Sequence, residues 1–374
     1  LKLSTTTRTV AVSAALAGTL ALTACGASNE SSGTAASGGG SSASSAPQLS
    51  GTLVGAGSSA QQAAMQGWTA GYTTVQPGVT VNYDPVGSGG GRSQFLAGGT
   101  DFAGSDAALG DEELTQAQDR CGRGGVFELP DYISPIALVY NLPGVDDLNL
   151  APATIAGIFT GAITSWNDPA ITADNPDANL PSTPITAVHR SDKSGTTENF
   201  TDYLAAVAPD VWIGGAVQEW PVPSGEAGAQ TSGLVAAVQS GEGAIGYADE
   251  SQAGDLSVAN VKVGSDYVAP SAEAAAAVVE NSPKVSGRGE YDLAIELQRD
   301  TTGSGEYPIV LVSYHIGCIR YDNQDTAELA KSFFGYVVSE DGQQAAADAA
   351  GSAPISDTLR EQAQGAVDAI TAGS

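Results

Sequence analysis

Between residues 50 and 110 the chain passes three times from an apolar strand pattern, through a turn of small residues, into a helix pattern. No other feature narrows the fold so far. Residues 52–55 run into Gly55-Ala56-Gly57-Ser58-Ser59-Ala60, followed by a helical face of Ala60, Ala64 and Trp68. Residues 79–83 alternate as a strand and meet the glycine-rich run 85–94. Residues 100–104 form a third short strand, with Ser105-Asp106-Ala107-Ala108-Leu109 just beyond it. This is βαβ alternation, which builds a parallel sheet flanked by helices. Open sheets of that kind bind ligands outside the carboxyl ends of their strands, which is where Asp106 falls. Each turn taken alone has a plainer reading. The run 85–94 reads equally as a flexible loop, and Asp106 as the cap of an acidic helix starting near Asp111. The first turn is not a nucleotide P-loop, since no Gly-Lys-Ser/Thr follows it.

A further strand-to-helix turn carries more polar chemistry. Apolar residues 185–188 precede HRSDKSGTTENF at 189–200. A strand end, a glycine turn and a helix start bring several unpaired backbone N–H groups to one point. Ser194 and Thr196 add hydroxyls, and Arg190 adds a fixed cationic fork. The set is a cradle for a small tetrahedral oxyanion. The plainer alternative is a βα turn with Ser or Gly as helix cap. Downstream, strand patterns at 126–130, 135–140, 243–247 and 307–314 complete an α/β chain with helix patterns at 155–159, 233–239, 271–280, 324–339 and 357–372.

The chain's start reads as a targeting segment. Lys2 and Arg8 form a positive region, residues 10–22 an apolar one too short to span a bilayer permanently, and Leu22-Thr23-Ala24-Cys25-Gly26 looks like a bacterial lipobox. Residues 1–24 are therefore expected to be a lipoprotein signal peptide, with Cys25 acylated and holding the chain to the cell membrane on its extracytoplasmic face. Residues 25–49, rich in Ser, Gly and Ala, are expected to form a flexible tether. Cys121 and Cys318 are then an even pair in an oxidising compartment, so a disulfide is expected. No Cys or His cluster has metal-ligand spacing, and neither a metal nor a cofactor is expected. His189 and His315 sit in apolar strand-like runs and read as structural. With 14 Lys and Arg against 42 Asp and Glu, the formal charge is −28, which excludes nucleic acid and anionic membrane surfaces as partners. An anion would have to be held by local dipoles against that field.

GAGSS at 55–59, VGSGGGRSQFLAGGTDFAGSDAAL at 86–109 and HRSDKSGTTENF at 189–200, in that order and spacing, resemble the periplasmic phosphate-binding proteins of bacterial ABC transporters. GAIGY at 243–247 and YPIVLVSY at 307–314 fit too, so the resemblance covers about residues 50–365. It implies an α/β, two-lobed periplasmic-binding-protein-like fold of type II. Each lobe would be a mainly parallel sheet flanked by helices, joined by two hinge crossings near residues 130–133 and 303–307. Lobe I would comprise 50–132 and 306–374, and lobe II 133–305. It further implies a phosphate set of Ser59, the Ala60 amide, Ser88, Asp106, Arg190, Ser194, Gly195 and Thr196, with Asp192 orienting Arg190. The family often has Thr-Phe where this chain has Ser59-Ala60. The hydroxyl is kept and the aromatic ring is lost. The implied function is a non-enzymatic, monomeric receptor delivering phosphate to membrane permease subunits.

The chemistry is consistent with that implication. An ionised Asp106 only accepts hydrogen bonds. It pairs with a phosphate O–H and repels fully deprotonated sulfate, so specificity comes from a repulsion. Three other readings compete: a hydrolase using the same cradle, a receptor for sulfate or molybdate, and a surface lipoprotein whose cradle is vestigial. The hydrolase lacks a metal constellation and a His beside a Ser nucleophile.

Overall fold

The computed structural model describes residues 48–373. The expected signal peptide 1–24, Cys25 and all but the last two residues of the expected tether 25–49 lie outside the described residues. The strands are β1 (Ser50–Gly57), β2 (Gly78–Asp84), β3 (Phe102–Ser105), β4 (Val126–Asn141), β5 (Asn149–Leu150), β6 (Thr186–Arg190), β7 (Glu226–Gly228), β8 (Ala244–Asp249), β9 (Ser257–Val263), β10 (Asp266–Val268), β11 (Val310–Cys318), β12 (Arg320–Tyr321) and β13 (Thr371–Ala372). The helices are α1 (Gln62–Val75), α2 (Ser88–Leu96), α3 (Asp111–Cys121), α4 (Pro152–Thr160), α5 (Pro169–Asp174), α6 (Gly195–Val207), α7 (Gln230–Ser240), α8 (Ala272–Glu280), α9 (Gln324–Val338), α10 (Glu340–Ala350) and α11 (Asp357–Asp368).

The main sheet runs β2-β1-β3-β11-β4-β8-β6-β7, with β9 also on β4, and β5 and β10 on β9. β2, β1 and β3 are parallel, and so are β8, β6 and β7. Between these two groups, β11 and β4 run antiparallel to each other and to their outer neighbours. The three early strand–turn–helix passages thus become β1-α1, β2-α2 and β3-α3. The fourth becomes β6-α6.

The strand patterns at 126–130 and 135–140 are one strand, not two. Pro130 and Pro135 lack the N–H that a ladder needs, which makes the sequence read as a break. The chain continues through them because the β4–β11 register shifts between Ser313 and Tyr314, leaving Asp131 as the extra residue of a bulge. Asp131 is buried there, and its Oδ2 lies 2.7 Å from His315 Nδ1. The 307–314 pattern becomes a strand only from Val310 and runs on to Cys318, beside β4. The final helix stops at Asp368, and Thr371-Ala372 pair with β12 instead.

Packing brings the chain's ends together. The spacing of Ala64, Met65, Trp68 and Tyr72 puts them on the buried face of α1. Trp68 Nε1–H donates to Gly342 O in α10 at 2.9 Å, and Tyr72 O–H lies 2.8 Å from Ser332 Oγ in α9. A disulfide between Cys121 and Cys318 joins the end of α3 to the end of β11. Among the described residues, no helix is long and apolar enough to cross a membrane.

Candidate functional site

The turns after β1, β2, β3 and β6 meet at one place, and side chains from distant parts of the sequence bond to one another there. Asp106, 3 % exposed, follows β3. It does not cap α3, whose first residue is preceded by Gly110. Its Oδ2 instead accepts from Thr196 Oγ1 at 2.9 Å and, at 3.3 Å, from Ser88 Oγ, which in turn accepts from the Asp106 amide at 3.1 Å. Asp106 Oδ1 is buried and has no hydrogen-bond partner.

The β6-α6 turn supplies the opposite face. Ser194 is the N-cap of α6, its Oγ accepting from the Thr197 amide at 3.2 Å. That use leaves its hydroxyl proton to donate elsewhere. The capping and anion-cradle readings of this turn are therefore compatible. Gly195 lets the helix start approach closely. A Cβ there would stand 2.9 Å from both Asp106 Cβ and Ser88 Oγ. The first amides of α6 lack intrahelical partners and carry the positive end of the helix dipole.

Arg190 is 3 % exposed, and its guanidinium is held bidentately by Asp192: Nε to Oδ1 at 2.8 Å and Nη2 to Oδ2 at 2.5 Å. Burial alone would raise the Asp192 carboxyl. The Arg190 bonds and charge, with the Gln230 amide donating to Oδ1 at 2.9 Å, outweigh it and hold the carboxyl below its ordinary range. Gly87, with φ +90°, brings the β2-α2 turn beside this pair; a Cβ at Gly87 would come within 2.4 Å of Asp192 Oδ2. So Ser88 sits between the Asp106 group and the Arg190 group.

Ser59 meets Thr231 at the start of α7. The two hydroxyl oxygens are 2.9 Å apart, and the Thr231 amide donates to Ser59 Oγ at 3.0 Å. The Ala60 amide is turned to Ser58 Oγ at 3.1 Å. Gln252 Nε2 donates to the carbonyls of Ser59 and Ala60 at 2.8 and 3.0 Å. Behind Asp106, Asn199 Nδ2 donates to its carbonyl at 2.6 Å, and Asn199 Oδ1 accepts from buried Arg299. Arg92, fully buried, donates to Ser105 Oγ at 2.7 Å and Gln218 Oε1 at 2.5 Å.

Ser59, Ser88, Asp106, Arg190, Asp192, Ser194, Gly195 and Thr196 are therefore brought to this cluster, whereas the Ala60 amide, expected to face the anion, is taken up by Ser58 Oγ. Thr231, Asn199, Gln252 and Gln218 were not named from the sequence. Asn199 lies inside the 189–200 motif, and Thr231 in the small-residue run Gly228–Gly233, within the first turn of a helix that starts three residues earlier than its apolar spacing indicates. Gln252 and Gln218 carry no local signal. His189 stacks on Trp220 with ring centroids 5.2 Å apart.

A cavity of about 650 Å³ also reaches Asp106, but Ser59, Ser88, Arg190 and Thr231 are not in its walls. It is lined by Asp106, Glu198, Asp202, Glu296 and Asp300, with Arg299 among them. A wall with that balance of charge disfavours an anion. Among the described residues, no group of three or more His, Cys, Asp or Glu is placed to hold a metal ion.

Comparison with known proteins gives the family and the fold. A model of the PBP superfamily domain matches residues 41–341. Phosphate-binding protein PstS 2 of Mycobacterium tuberculosis is 37 % identical over 369 residues, covering 96 % of this chain and 98 % of that one. Phosphate-binding protein PstS 3 of the same species is 38 % identical over 368 residues, with the same coverage. Among solved structures, a high-affinity periplasmic phosphate-binding protein bound with phosphate superposes with a TM-score of 0.70 at 21 % identity, covering 84 % of this chain and 93 % of that one. The phosphate-binding protein of Stenotrophomonas maltophilia gives 0.63 at 20 %, covering 84 % and 94 %. These likenesses establish a type II periplasmic-binding-protein fold.

Proposed function

The chain belongs to the phosphate-binding proteins of the PBP superfamily, and from that premise we propose that it captures inorganic phosphate in the Asp106–Arg190 cradle and delivers it to an ABC permease for import. It is a binding protein and not an enzyme.

One observation carries the assignment of the ligand to this site. Asp106 Oδ1 is buried without a donor, a situation that costs on the order of 1–3 kcal/mol. A ligand that carries its own proton into the cradle removes that cost. Phosphate near neutral pH keeps at least one O–H, and sulfate has none. Ser59, Ser194, the α6 amides and Arg190 supply donors to the remaining oxygens, each charge-assisted bond contributing about 1.5–3 kcal/mol.

We assign residues 50–132 and 306–374 to lobe I and 133–305 to lobe II, with β4 and β11 as the connections. The bonds Ser59–Thr231, Asp106–Thr196 and Arg92–Gln218 would then close the cleft. The protein would act as a monomer outside the cytoplasm, held to the membrane by a lipid on Cys25 through the 25–49 tether.

Titration calorimetry with phosphate and sulfate in parallel tests the ligand. One-to-one phosphate binding, silence with sulfate, and a large loss on Arg190→Ala are the expected results. Asp106→Asn should reduce discrimination between the ions more than it weakens phosphate capture. A wild type that binds neither ion overturns the proposal. Mass spectrometry of the cell-derived protein tests the anchor: Cys25 should carry a lipid, and Cys25→Ser should be released from the membrane.

A further inference from the structure

The start of α7 is not needed to explain an anion cradle, yet it touches both of the cradle's halves. Gln230 has φ +59° and is the non-glycine residue with a positive φ among those described. That backbone aims the Gln230 amide at Asp192 and the next residue, Thr231, at Ser59. Thr231 is 1 % exposed and Ser59 2 %. They are 172 residues apart in sequence.

The hydrogen-bond inventory of this contact is restrictive. Arg190 has donors only, and its Nη1 faces Thr231 Oγ1 at 3.5 Å. Thr231 Oγ1 is therefore the acceptor toward Arg190. Ser59 Oγ already accepts the Thr231 amide at 3.0 Å. One proton must lie between the two hydroxyl oxygens, 2.9 Å apart. If it belongs to Ser59, Ser59 has nothing left to donate and presents only oxygen to an anion. If it belongs to Thr231, Ser59 Oγ accepts twice and its own proton is free. A phosphate dianion whose single proton is committed to Asp106 selects the second arrangement, because its other oxygens only accept and need a donor facing them.

We propose that Thr231 is a positioning residue for anion capture: held by Arg190, its hydroxyl donates to Ser59 and so commits the single Ser59 proton to the ligand. This rests on the cradle being the phosphate site. It makes a chain of three donors in one direction, Arg190 to Thr231 to Ser59 to anion. The positive end of that chain is the same guanidinium that Asp192 anchors. Binding on the Ser59 side is thereby coupled to the arginine on the other.

A double-mutant cycle on the intact chain, read by phosphate calorimetry and stopped-flow dissociation, tests the relay. Thr231→Val keeps the shape and the backbone amide but removes the hydroxyl. It should weaken phosphate binding by about tenfold, the equivalent of one lost hydrogen bond, mainly through faster dissociation. Thr231→Ser, which restores the oxygen, should recover binding to within about twofold. Ser59→Ala should lose affinity by itself, and Ser59→Ala combined with Thr231→Val should lose no more than Ser59→Ala alone. A purely structural Thr231 would instead give multiplying losses and a lowered melting temperature that Ser does not repair. The relay is overturned if Thr231→Val binds within twofold of wild type, or if the losses multiply. Should Thr231→Val not fold, Thr231→Ala takes its place in the cycle with the same expectations. A wild type that fails to bind phosphate removes the site reading, and the relay falls with it; a wild type that binds while the cycle fails removes the relay alone.

Discussion

At Gly195 one hydrogen atom in place of a methyl group sets how closely α6 approaches Asp106. A Cβ there would press on Asp106 Cβ, Ser88 Oγ and, at 3.0 Å, the Ala107 amide. None of these is the free end of a long side chain, so the helix start must retreat. Gly195→Ala should therefore weaken phosphate binding by at least about tenfold, because oriented contacts fail with displacements of a few tenths of an ångström. Calorimetry beside thermal melting checks this, with the affinity loss exceeding any change in stability. Asp192 makes a different argument. Its carboxyl is held below the ordinary range by Arg190 and the Gln230 amide despite burial. A depressed acid contributes stability that is present above its unfolded pKa and lost as pH falls through the folded one. Wild type should thus be more stable than Asp192→Asn near pH 7, and the two urea midpoints should converge as pH drops below about 4. Arg190, Asp192, Ser194 and Gly195 were legible from the sequence because they sit together in one turn whose chemistry is local. Thr231 and Gln252 were not. Their role exists only once a segment 172 or more residues away has been folded against Ser59.

Elements obey the same division. β1-α1, β2-α2 and β3-α3 announce themselves through periodicity and small-residue turns. β4 hides behind its two prolines, because the bulge that keeps it continuous is made by pairing with β11, not by its own residues. The start of α7 hides for a related reason: Gln230 and Thr231 are polar, so apolar spacing picks up only the later turns. Gln230 holds a left-handed backbone that costs a side chain roughly 1–2 kcal/mol. Gln230→Gly removes that strain but adds backbone freedom to the unfolded chain. The net expectation is a gain of up to about 1 kcal/mol in unfolding free energy, with phosphate affinity kept because the amide to Asp192 is backbone. A loss of stability would mean the Gln230 side chain is itself needed. Where β8 ends against β4, Asp249 is fully buried and accepts from Tyr132 O–H at 3.0 Å and Ser251 Oγ at 2.5 Å. Burial pushes its carboxyl up to about 7, the hydroxyl bonds only partly offsetting it. Here the folded state holds its proton more tightly than the unfolded one. The contribution is fully present below the unfolded value and declines as pH rises through about 7. Asp249→Asn should flatten that decline between pH 4 and 8 in denaturant titrations; an unchanged slope would show that the carboxyl does not titrate there.

For the whole molecule, fold class and ligand class were both readable because order and spacing of the turns survive in the sequence, whereas the packing of α9 and α10 back onto α1 rests on contacts such as Trp68 to Gly342 that no local pattern records. Charge is the property that belongs to the molecule and to no part of it. A formal charge of −28 opposes the approach of an anion from every direction, while the proposed cradle is buried and would hold an anion through Arg190, hydroxyls and helix-end amides. The two effects act at different ranges. The repulsion is screened as the Debye length falls from about 30 Å at 0.01 M salt to about 10 Å at 0.1 M. The bonds to Arg190, Ser194 and the α6 amides act over contact distance inside protein and are screened much less. Added neutral salt should therefore speed phosphate association several-fold over that range and leave dissociation nearly unchanged, so that affinity rises with ionic strength. This is the reverse of what an electropositive funnel would give. Stopped-flow association rates at constant pH across a sodium chloride series separate the cases. If association slows with salt, the local field of Arg92, Arg190 and Lys193 reaches further into solvent than the acidic surface around it, and capture is steered by the cleft after all.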